Sequence, residues 1–298
     1  MGDLDDILRQ LEPSLGPVGG EPVPLEGGIT NHNFRVRFAD GEYVVRLHGK
    51  DTNLLGISRE AELLANEAAA SLGIAPAVAG GFKGGLVTSF VACDPLGSEQ
   101  IATAVEEIAR ALHTFHASGI ELPVTFSVPM LLGEYAENIR RRGSEPPGGW
   151  DEIVDVAQRI ALAMAPLASR PCHNDLLAGN LIRARENGRV MIVDWEYAGM
   201  GDPYFDLGNL AVNNAFDEAA EARLLEAYHD AAPSDGQIAR LRLMRIMSDA
   251  REAAWGVMQG LLSELDFDFR GYAGEHLERL RAAARTPDFT TLLERVRG

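Results

Sequence analysis

The stretch CHNDLLAGNLI, residues 172–182, places strongly polar side chains directly before apolar residues that predict a buried strand. His173, Asp175 and Asn180 have the spacing H-x-D-x-x-x-x-N, and Asp194 follows at the end of a second apolar segment. Polar groups beside a buried strand cost free energy unless a partner satisfies them. Phosphoryl transfer would supply such partners, because an Asp can accept the proton of an attacking hydroxyl, and Asn and Asp oxygens are ligands for Mg²⁺.

The same residue types also have a structural explanation, since Asn and Asp often cap helices and form Asx turns. We favour catalysis for Asp175 and Asp194, because the triplet is followed by a strand-terminal carboxylate in MIVDWEY (191–197). For His173 we expect a packed, hydrogen-bonded scaffold residue rather than a catalyst.

The composition argues against several classes of protein. The chain has 298 residues, 46% of them hydrophobic, so it can bury a substantial core. Its net charge of −17 repels nucleic-acid phosphates and favours a small cationic partner. Cys93 and Cys172 are too few for a disulfide framework, and no segment is long and apolar enough to cross a membrane. We therefore expect a cytoplasmic protein without nucleic-acid or membrane partners, and the sequence leaves its oligomeric state open.

The order of the expected elements predicts an α+β fold of two lobes. Alternating residues over 22–49 predict an antiparallel meander, a helix follows over 57–73 with Ser58 as its N-cap, and two strands follow within 77–92. A short helix is predicted over 3–12. Beyond residue 100 the spacing is helical, except for two short strands near 180–183 and 190–194. We divide the chain into a sheet-rich N-lobe, residues 1–92, and a helical C-lobe, residues 93–298.

Several segments resemble one known family. The spacing in 172–182 is similar to the catalytic loop of protein kinases and, more closely, of kinase-like small-molecule phosphotransferases. HNDLLAGNLI and VDWEYAGMGDPYFDLGNL (193–210) look like the choline/ethanolamine kinase family, as do GGITNHNFRV (27–36), YVVRLHG (43–49) and WGVMQGLLSELDFDFRGYA (255–273). The likeness covers most of residues 25–280. It implies a protein-kinase-like fold and the use of ATP and Mg²⁺.

The resemblance also implies roles for individual residues. Asp175 would be the catalytic base, and Asn180 and Asp194 would bind Mg²⁺. Arg46 would hold the nucleotide phosphates, with Glu62 or, alternatively, Glu60 as its helix partner. The remaining implied contacts to nucleotide come from the hairpin residues Gly28, Thr30 and Asn31 and from the hinge residues Phe90 and Val91. Asp206 would bond back to the catalytic loop.

The acceptor site is expected among aromatic residues, because an ammonium group binds well over aromatic faces. The candidates are Tyr197, Phe216, Trp255, Phe269 and Tyr272, although aromatic residues on amphipathic helices commonly fill cores. Glu252 stands where many choline kinases have the first of two Trp residues. It would pair with an ammonium or, alternatively, face water.

Three functions remain open at this stage. The first is an ATP- and Mg²⁺-dependent kinase that phosphorylates the hydroxyl of a small cationic amino alcohol, with choline or ethanolamine as the first candidates. The second keeps this chemistry but takes an aminoglycoside, thiamine or another hydroxyl compound. The third is a catalytically silent kinase-like binding module, which the intact set of Asp175, Asn180 and Asp194 disfavours. Whether the 127–150 segment covers the site is also open.

Overall fold

The N-terminal part of the chain forms an antiparallel sheet flanked by two helices. The computed structural model describes residues 4–25, 31–166 and 168–297. The five strands have the order β1-β2-β3-β5-β4. Their bounds, with those of the helices, are α1 Leu4–Leu15, β1 Val23–Leu25, β2 His32–Phe38, β3 Gly41–Leu47, α2 Arg59–Ser71, β4 Val78–Phe82 and β5 Gly85–Ser89. The predicted meander is therefore confirmed.

Local sequence accounts for the ends of these elements. The β2–β3 hairpin closes at the pair Phe38 and Gly41. Helix α2 begins after Ser58, whose hydroxyl accepts the backbone N–H of Ala61 at 3.3 Å, and such a cap contributes about 1 kcal/mol. Helix α1 was predicted to end before Pro13 but runs to Leu15, because Leu15 is buried in the same apolar cluster as Leu8.

The C-terminal part is mostly helical and is organised around the 28-residue helix α9. Helix α9 contacts α5, α6, α7, α8, α10 and α11, so residues along its length reach most of the C-terminal core. The helices are α3 Ser98–Thr103, α4 Val105–His116, α5 Val128–Arg141, α6 Trp150–Met164, α7 Pro203–Asn213, α8 Glu218–His229, α9 Asp235–Leu262, α10 Phe269–Ala284 and α11 Pro287–Arg295. In the described ranges, no helix has the length and apolar character needed to cross a bilayer.

Short strands hold the predicted catalytic segment. They are β6 Cys93–Pro95, β7 Arg170–Cys172, β8 Leu181–Ala184, β9 Val190–Ile192 and β10 Gly199–Gly201. Strands β6, β8 and β9 form one small sheet, and β7 pairs with β10. The two predicted strands correspond to β8 and β9. The division at residue 92 falls between β5 of the first sheet and β6, which pairs with β8, and it stays a prediction.

Candidate active site

The loop after β7 is held by polar side chains of α7. The carboxylate of Asp206 accepts the backbone N–H groups of His173 at 2.8 Å and Asn174 at 2.7 Å. Asn209 accepts the N–H of Leu176 at 2.5 Å. Asn174 has a φ of 65°, and this left-handed bend is one that Asn tolerates better than most residues. The backbone around Asp175 is thus fixed from one helix, as the sequence led us to expect for Asp206.

His173 is fully buried and makes the contacts of a scaffold residue. Its Nδ1 accepts the N–H of Asp175 at 3.2 Å, and its Nε2 lies 3.0 Å from the carbonyl oxygen of Val193. Burial lowers the pKa of His173, so the neutral ring can accept at Nδ1 and donate at Nε2. The ring also packs at 4.6 Å from that of Trp195.

Asp175 is buried and each of its carboxyl oxygens has a partner. Oδ1 accepts from Nη1 of Arg251 at 3.1 Å, and Oδ2 accepts from Nδ2 of Asn180 at 3.2 Å. Burial raises the pKa of Asp175 to about 7; the charge of Arg251 opposes this, and that of Glu252 adds to it. The group can therefore exchange a proton near neutral pH.

Arg46 on β3 links the N-lobe to the C-lobe through Asp194, which follows β9. Its Nη1 donates to Oε1 of Glu62 at 3.1 Å and to Oδ1 of Asp194 at 2.5 Å, and its Nε donates to Asn33 at 3.1 Å. Glu62 is buried whereas Glu60 is exposed, so Glu62 is the helix partner of Arg46. Burial alone would raise the pKa of Glu62, but His48, Arg46 and Arg59 outweigh it and lower the pKa to about 2.

The side chains of Asn180 and Asp194 fit a hard cation. The amide nitrogen of Asn180 is engaged by Asp175, both at Oδ2 and at its backbone carbonyl at 2.7 Å, which leaves the amide oxygen for a ligand. Asp194 has a φ of 65°, and Arg46 binds its Oδ1, so among the described residues Oδ2 is left for a ligand. An amide oxygen and a carboxylate oxygen are donors that Mg²⁺ prefers.

A cavity of about 310 Å³ lies between the lobes beside Arg46 and Asp194. Phe90 and Val91 line it, as expected for a hinge. The guanidinium of Arg35 lies 4.0 Å from the centre of the Phe90 ring. The other walls are formed by Leu25, Asn33, Val44, Asn66, Pro76, Leu86, Thr88, Ser89, Cys93, Ile182 and Val193.

The predicted phosphate hairpin is described only from Asn31 onward; Gly28 and Thr30 lie outside the described residues. Asn31 is buried, its Nδ2 donates to Glu196 at 2.8 Å, and its Oδ1 accepts from Arg59 at 3.1 Å. Protein groups thus use both ends of this amide, and its predicted contact with nucleotide is not supported.

Glu196 was missed from the sequence, although an acid two residues after Asp194 in VDWEY was a signal. Burial and Asp194 raise its pKa to about 7, against Arg46, Asn31 and Arg59.

Most of the predicted acceptor residues lie close together around Glu252, which Arg251 connects to Asp175. The indole N–H of Trp255 donates to the Tyr197 hydroxyl at 2.8 Å, and the Tyr272 hydroxyl donates to Oε2 of Glu252 at 2.7 Å. The Trp255 ring lies 5.6 Å from that of Tyr272 and 6.1 Å from that of Phe269. Glu252 is 1% exposed, so the alternative in which it faces water is wrong.

The structure corrects one candidate and adds another. Phe216 is buried after α7 beside a different cavity, where its carbonyl accepts from Arg245 at 3.1 Å, so it does not belong to the acceptor cluster. Arg251 was missed. Its Nη1 also donates to Oε1 of Glu252 at 2.7 Å, and its guanidinium lies 4.3 Å from the centre of the Tyr197 ring. Its position four residues before Trp255, on the same helical face, was the available signal.

Comparison with known proteins identifies the family of the chain. Residues 21–243 match the profile of the phosphotransferase enzyme family. The chain belongs to that family. Among relatives of this phosphotransferase is a probable ethanolamine kinase of Arabidopsis thaliana, 26% identical, with 91% of this chain and 78% of the relative covered.

Solved structures confirm the fold of the phosphotransferase and the predicted resemblance. A choline/ethanolamine kinase family protein from Mesorhizobium loti is 30% identical, with a TM-score of 0.83 and 99% of each chain covered. Choline kinase LicA from Streptococcus pneumoniae is 26% identical, with a TM-score of 0.79 and coverage of 94% of this chain and 98% of its own. The predicted α+β class with two kinase-like lobes is therefore confirmed.

Proposed function

We propose that this phosphotransferase transfers a phosphoryl group from ATP to the hydroxyl of a small cationic amino alcohol, choline or ethanolamine. The observation that carries the proposal is the position of Asp175. Asn180 connects it to the nucleotide side, and Arg251 connects it to the aromatic and acidic cluster. The ethanolamine and choline kinases among its relatives support this acceptor class. We place the enzyme in the cytoplasm, where ATP is available.

On the nucleotide side, ATP occupies the cavity between the lobes. Phe90 and Val91 border the base, and Arg46 binds the phosphates with a fixed positive charge. Glu62 and Asn33 keep the guanidinium in place. Asn180 and Asp194 would hold Mg²⁺, which when bound neutralises charge on the phosphates.

On the acceptor side, Asp175 accepts the proton of the attacking hydroxyl. The hydroxyl oxygen bonds to the γ-phosphorus, the bond from that phosphorus to the bridging oxygen of ADP breaks, and the proton goes to Asp175. The raised pKa makes the carboxylate a suitable base near neutral pH. His173 and Asp206 keep the loop in place and take no part in proton transfer.

The aromatic and acidic cluster binds the ammonium end of the acceptor. Tyr197, Trp255 and Tyr272 provide rings, and Glu252 provides negative charge close to them. The surrounding protein carries a net charge of −17, which attracts a cation by long-range steering.

ADP release measured with purified protein, ATP and Mg²⁺ tests this function. Choline or ethanolamine should stimulate it, and Asp175→Ala should abolish the stimulation while ATP binding survives. Stimulation only by thiamine or an aminoglycoside would move the acceptor to the alternative class. ATP binding without turnover of any acceptor would favour a silent binding module.

A further inference from the structure

The acceptor cluster contains a buried positive charge that its assigned role does not require. Arg251 on α9 is 1% exposed, and its Nη1 is shared between Asp175 at 3.1 Å and Glu252 at 2.7 Å. A cation beside the base of an enzyme for cationic acceptors repels its own substrate. The repulsion acts equally on every ammonium compound, so it cannot select among them.

Arg251 nevertheless changes which contacts an ammonium can make. Its planar guanidinium lies over the Tyr197 ring at 4.3 Å and covers that face. A trimethylammonium group has no N–H donor and depends on such aromatic faces. This acceptor therefore loses a contact surface that Tyr197 would otherwise provide.

A primary ammonium has a different route to binding. Each oxygen of Glu252 already has one partner, Arg251 on Oε1 and Tyr272 on Oε2. A carboxylate has about four lone-pair sites, so each oxygen can accept a further N–H bond. A primary ammonium offers three donors to these oxygens, and its small size leaves the guanidinium in place.

The remaining donors of Arg251 are available to a bound acceptor. Nε and Nη2 are buried without a partner among the described residues, and a buried donor without an acceptor costs free energy. The hydroxyl oxygen of an acceptor held beside Asp175 can accept one of them. A small acceptor thus gains from the guanidinium, whereas a bulky ammonium must displace it from Tyr197.

We infer that Arg251 is a specificity-determining residue that makes this enzyme prefer a primary amino alcohol to its trimethylated counterpart. The inference rests on the proposed function and adds a direction to it: ethanolamine is the better acceptor, and choline is the poorer one.

The test compares kcat/KM for ethanolamine, N-methylethanolamine, N,N-dimethylethanolamine and choline. In the wild type we expect kcat/KM to fall along this series by at least about tenfold in total, or about 1.4 kcal/mol. Arg251→Met uncovers the Tyr197 face and should raise the choline-to-ethanolamine ratio about tenfold. Arg245→Met is the matched control, since Arg245 lies on the same helix and pairs with the buried Glu221 away from the site. It should leave the ratio unchanged.

Arg251→Lys covers the case in which the Met variant does not fold. It keeps the charge beside Asp175 and Glu252 but lacks the flat guanidinium, so the ratio should move in the same direction by a smaller factor. A wild type that prefers choline, or a ratio unchanged in a folded Arg251 variant, overturns the inference while the proposed function stands. Absence of turnover with all four amines overturns both.

Discussion

Asp175, the proposed base, is deeply buried. Asn180 and Arg251 each hold one of its oxygens, so the carboxylate has a defined orientation before any ligand arrives. Burial raises its pKa to about 7, with the charges of Glu252, Asp194 and Glu196 acting in the same direction and Arg251 against them. Such a pKa gives a base that is ionised often enough at neutral pH and still basic enough to take the proton.

The pH profile of kcat/KM tests this property of Asp175. Only the ionised carboxylate accepts a proton, so activity should rise with pH and reach half its plateau near pH 7. Glu196→Gln removes a negative charge that raises the pKa of Asp175, and the acid limb should then move to lower pH. A flat profile between pH 5.5 and 8 would contradict this assignment.

The contact between Arg46 and Glu62 gives a second prediction for single residues. Glu62→Gln removes the charge that orients Arg46, so the KM for ATP should rise about tenfold, in line with the loss of a buried charge-assisted hydrogen bond. Glu60→Gln is the matched control, because Glu60 lies in the same helical turn and is exposed. An equal effect of both changes on the KM for ATP would show that charge on the helix, and not the Arg46 contact, matters.

The polar motif was informative because its residues lie close together in the chain. Asp175 and Asn180 share one loop, and Asp194 ends the adjacent strand, so a short local structure brings them together. Arg251 comes from a helix 76 residues after Asp175, and neither its burial nor its pairing is visible in the sequence. Phe216 lies beside a different cavity, because the aromatic character of a residue does not tell which helices pack around it.

Among the elements, α7 positions the loop that carries Asp175. Asp206 is fully buried and accepts two backbone N–H groups of the loop, while His116 lies 2.9 Å from its Oδ2. Burial by itself would raise the pKa of Asp206, but the contacts with His116 and His173 outweigh it, and the pKa is lowered. The carboxylate is therefore ionised and available as an acceptor for the loop.

Asp206→Asn should weaken this attachment. An amide in this place turns one acceptor into a donor that faces a backbone N–H, so we expect a loss of roughly 2–4 kcal/mol in the free energy of unfolding and a lower kcat. Urea unfolding and steady-state kinetics measure both. Asp202→Asn is the control: Asp202 caps the same helix through the N–H of Tyr204, and Asn caps equally well. If both variants lose the same stability and activity, the loop contact is not the cause.

Elements with a clear apolar period were predictable, and several short strands that depend on a distant partner were not. Helix α2 and strands β2 and β3 follow their sequence patterns, whereas β6, β7 and β10 have only three residues each and are defined by their partners. Helix α5 lies in the 127–150 segment, which the sequence left unassigned. Its buried residues do have helical spacing, and it packs mainly against α9 and α6, while the hydroxyl of Tyr135 donates to the carbonyl of Leu55 at 2.9 Å.

In the molecule as a whole, charged side chains join the lobes beside the cavity lined by Arg46 and Asp194. Arg46 reaches Asp194, and Arg59 reaches Glu196 at 3.2 Å, so two N-lobe cations meet two C-lobe acids. The two-lobe order was predictable from the sequence because sheet-type and helix-type patterns are separated along the chain. The pairing across the cleft was not, since it depends on how the lobes pack.

This arrangement predicts that a nucleotide with Mg²⁺ stabilises the whole protein. At a ligand concentration of about 100 times Kd, binding adds about 2.7 kcal/mol to the free energy of unfolding, so Tm should rise by several degrees. EDTA should remove most of the shift. Asp194→Asn should remove the dependence on Mg²⁺, whereas Asp175→Asn should keep it. An undiminished Mg²⁺-dependent shift in Asp194→Asn would place the ion elsewhere.

We propose that Asp175 directs the γ-phosphoryl group of ATP to the hydroxyl of an amino alcohol. Phosphorus NMR of wild-type enzyme with Mg²⁺, ATP and ethanolamine measures this directly, because ADP, phosphate monoester and inorganic phosphate give separate signals. We expect equal amounts of ADP and a phosphate monoester of the amine in the wild type, and neither in Asp175→Asn. Formation of ADP and inorganic phosphate without the monoester, or an unchanged rate in Asp175→Asn, would contradict it.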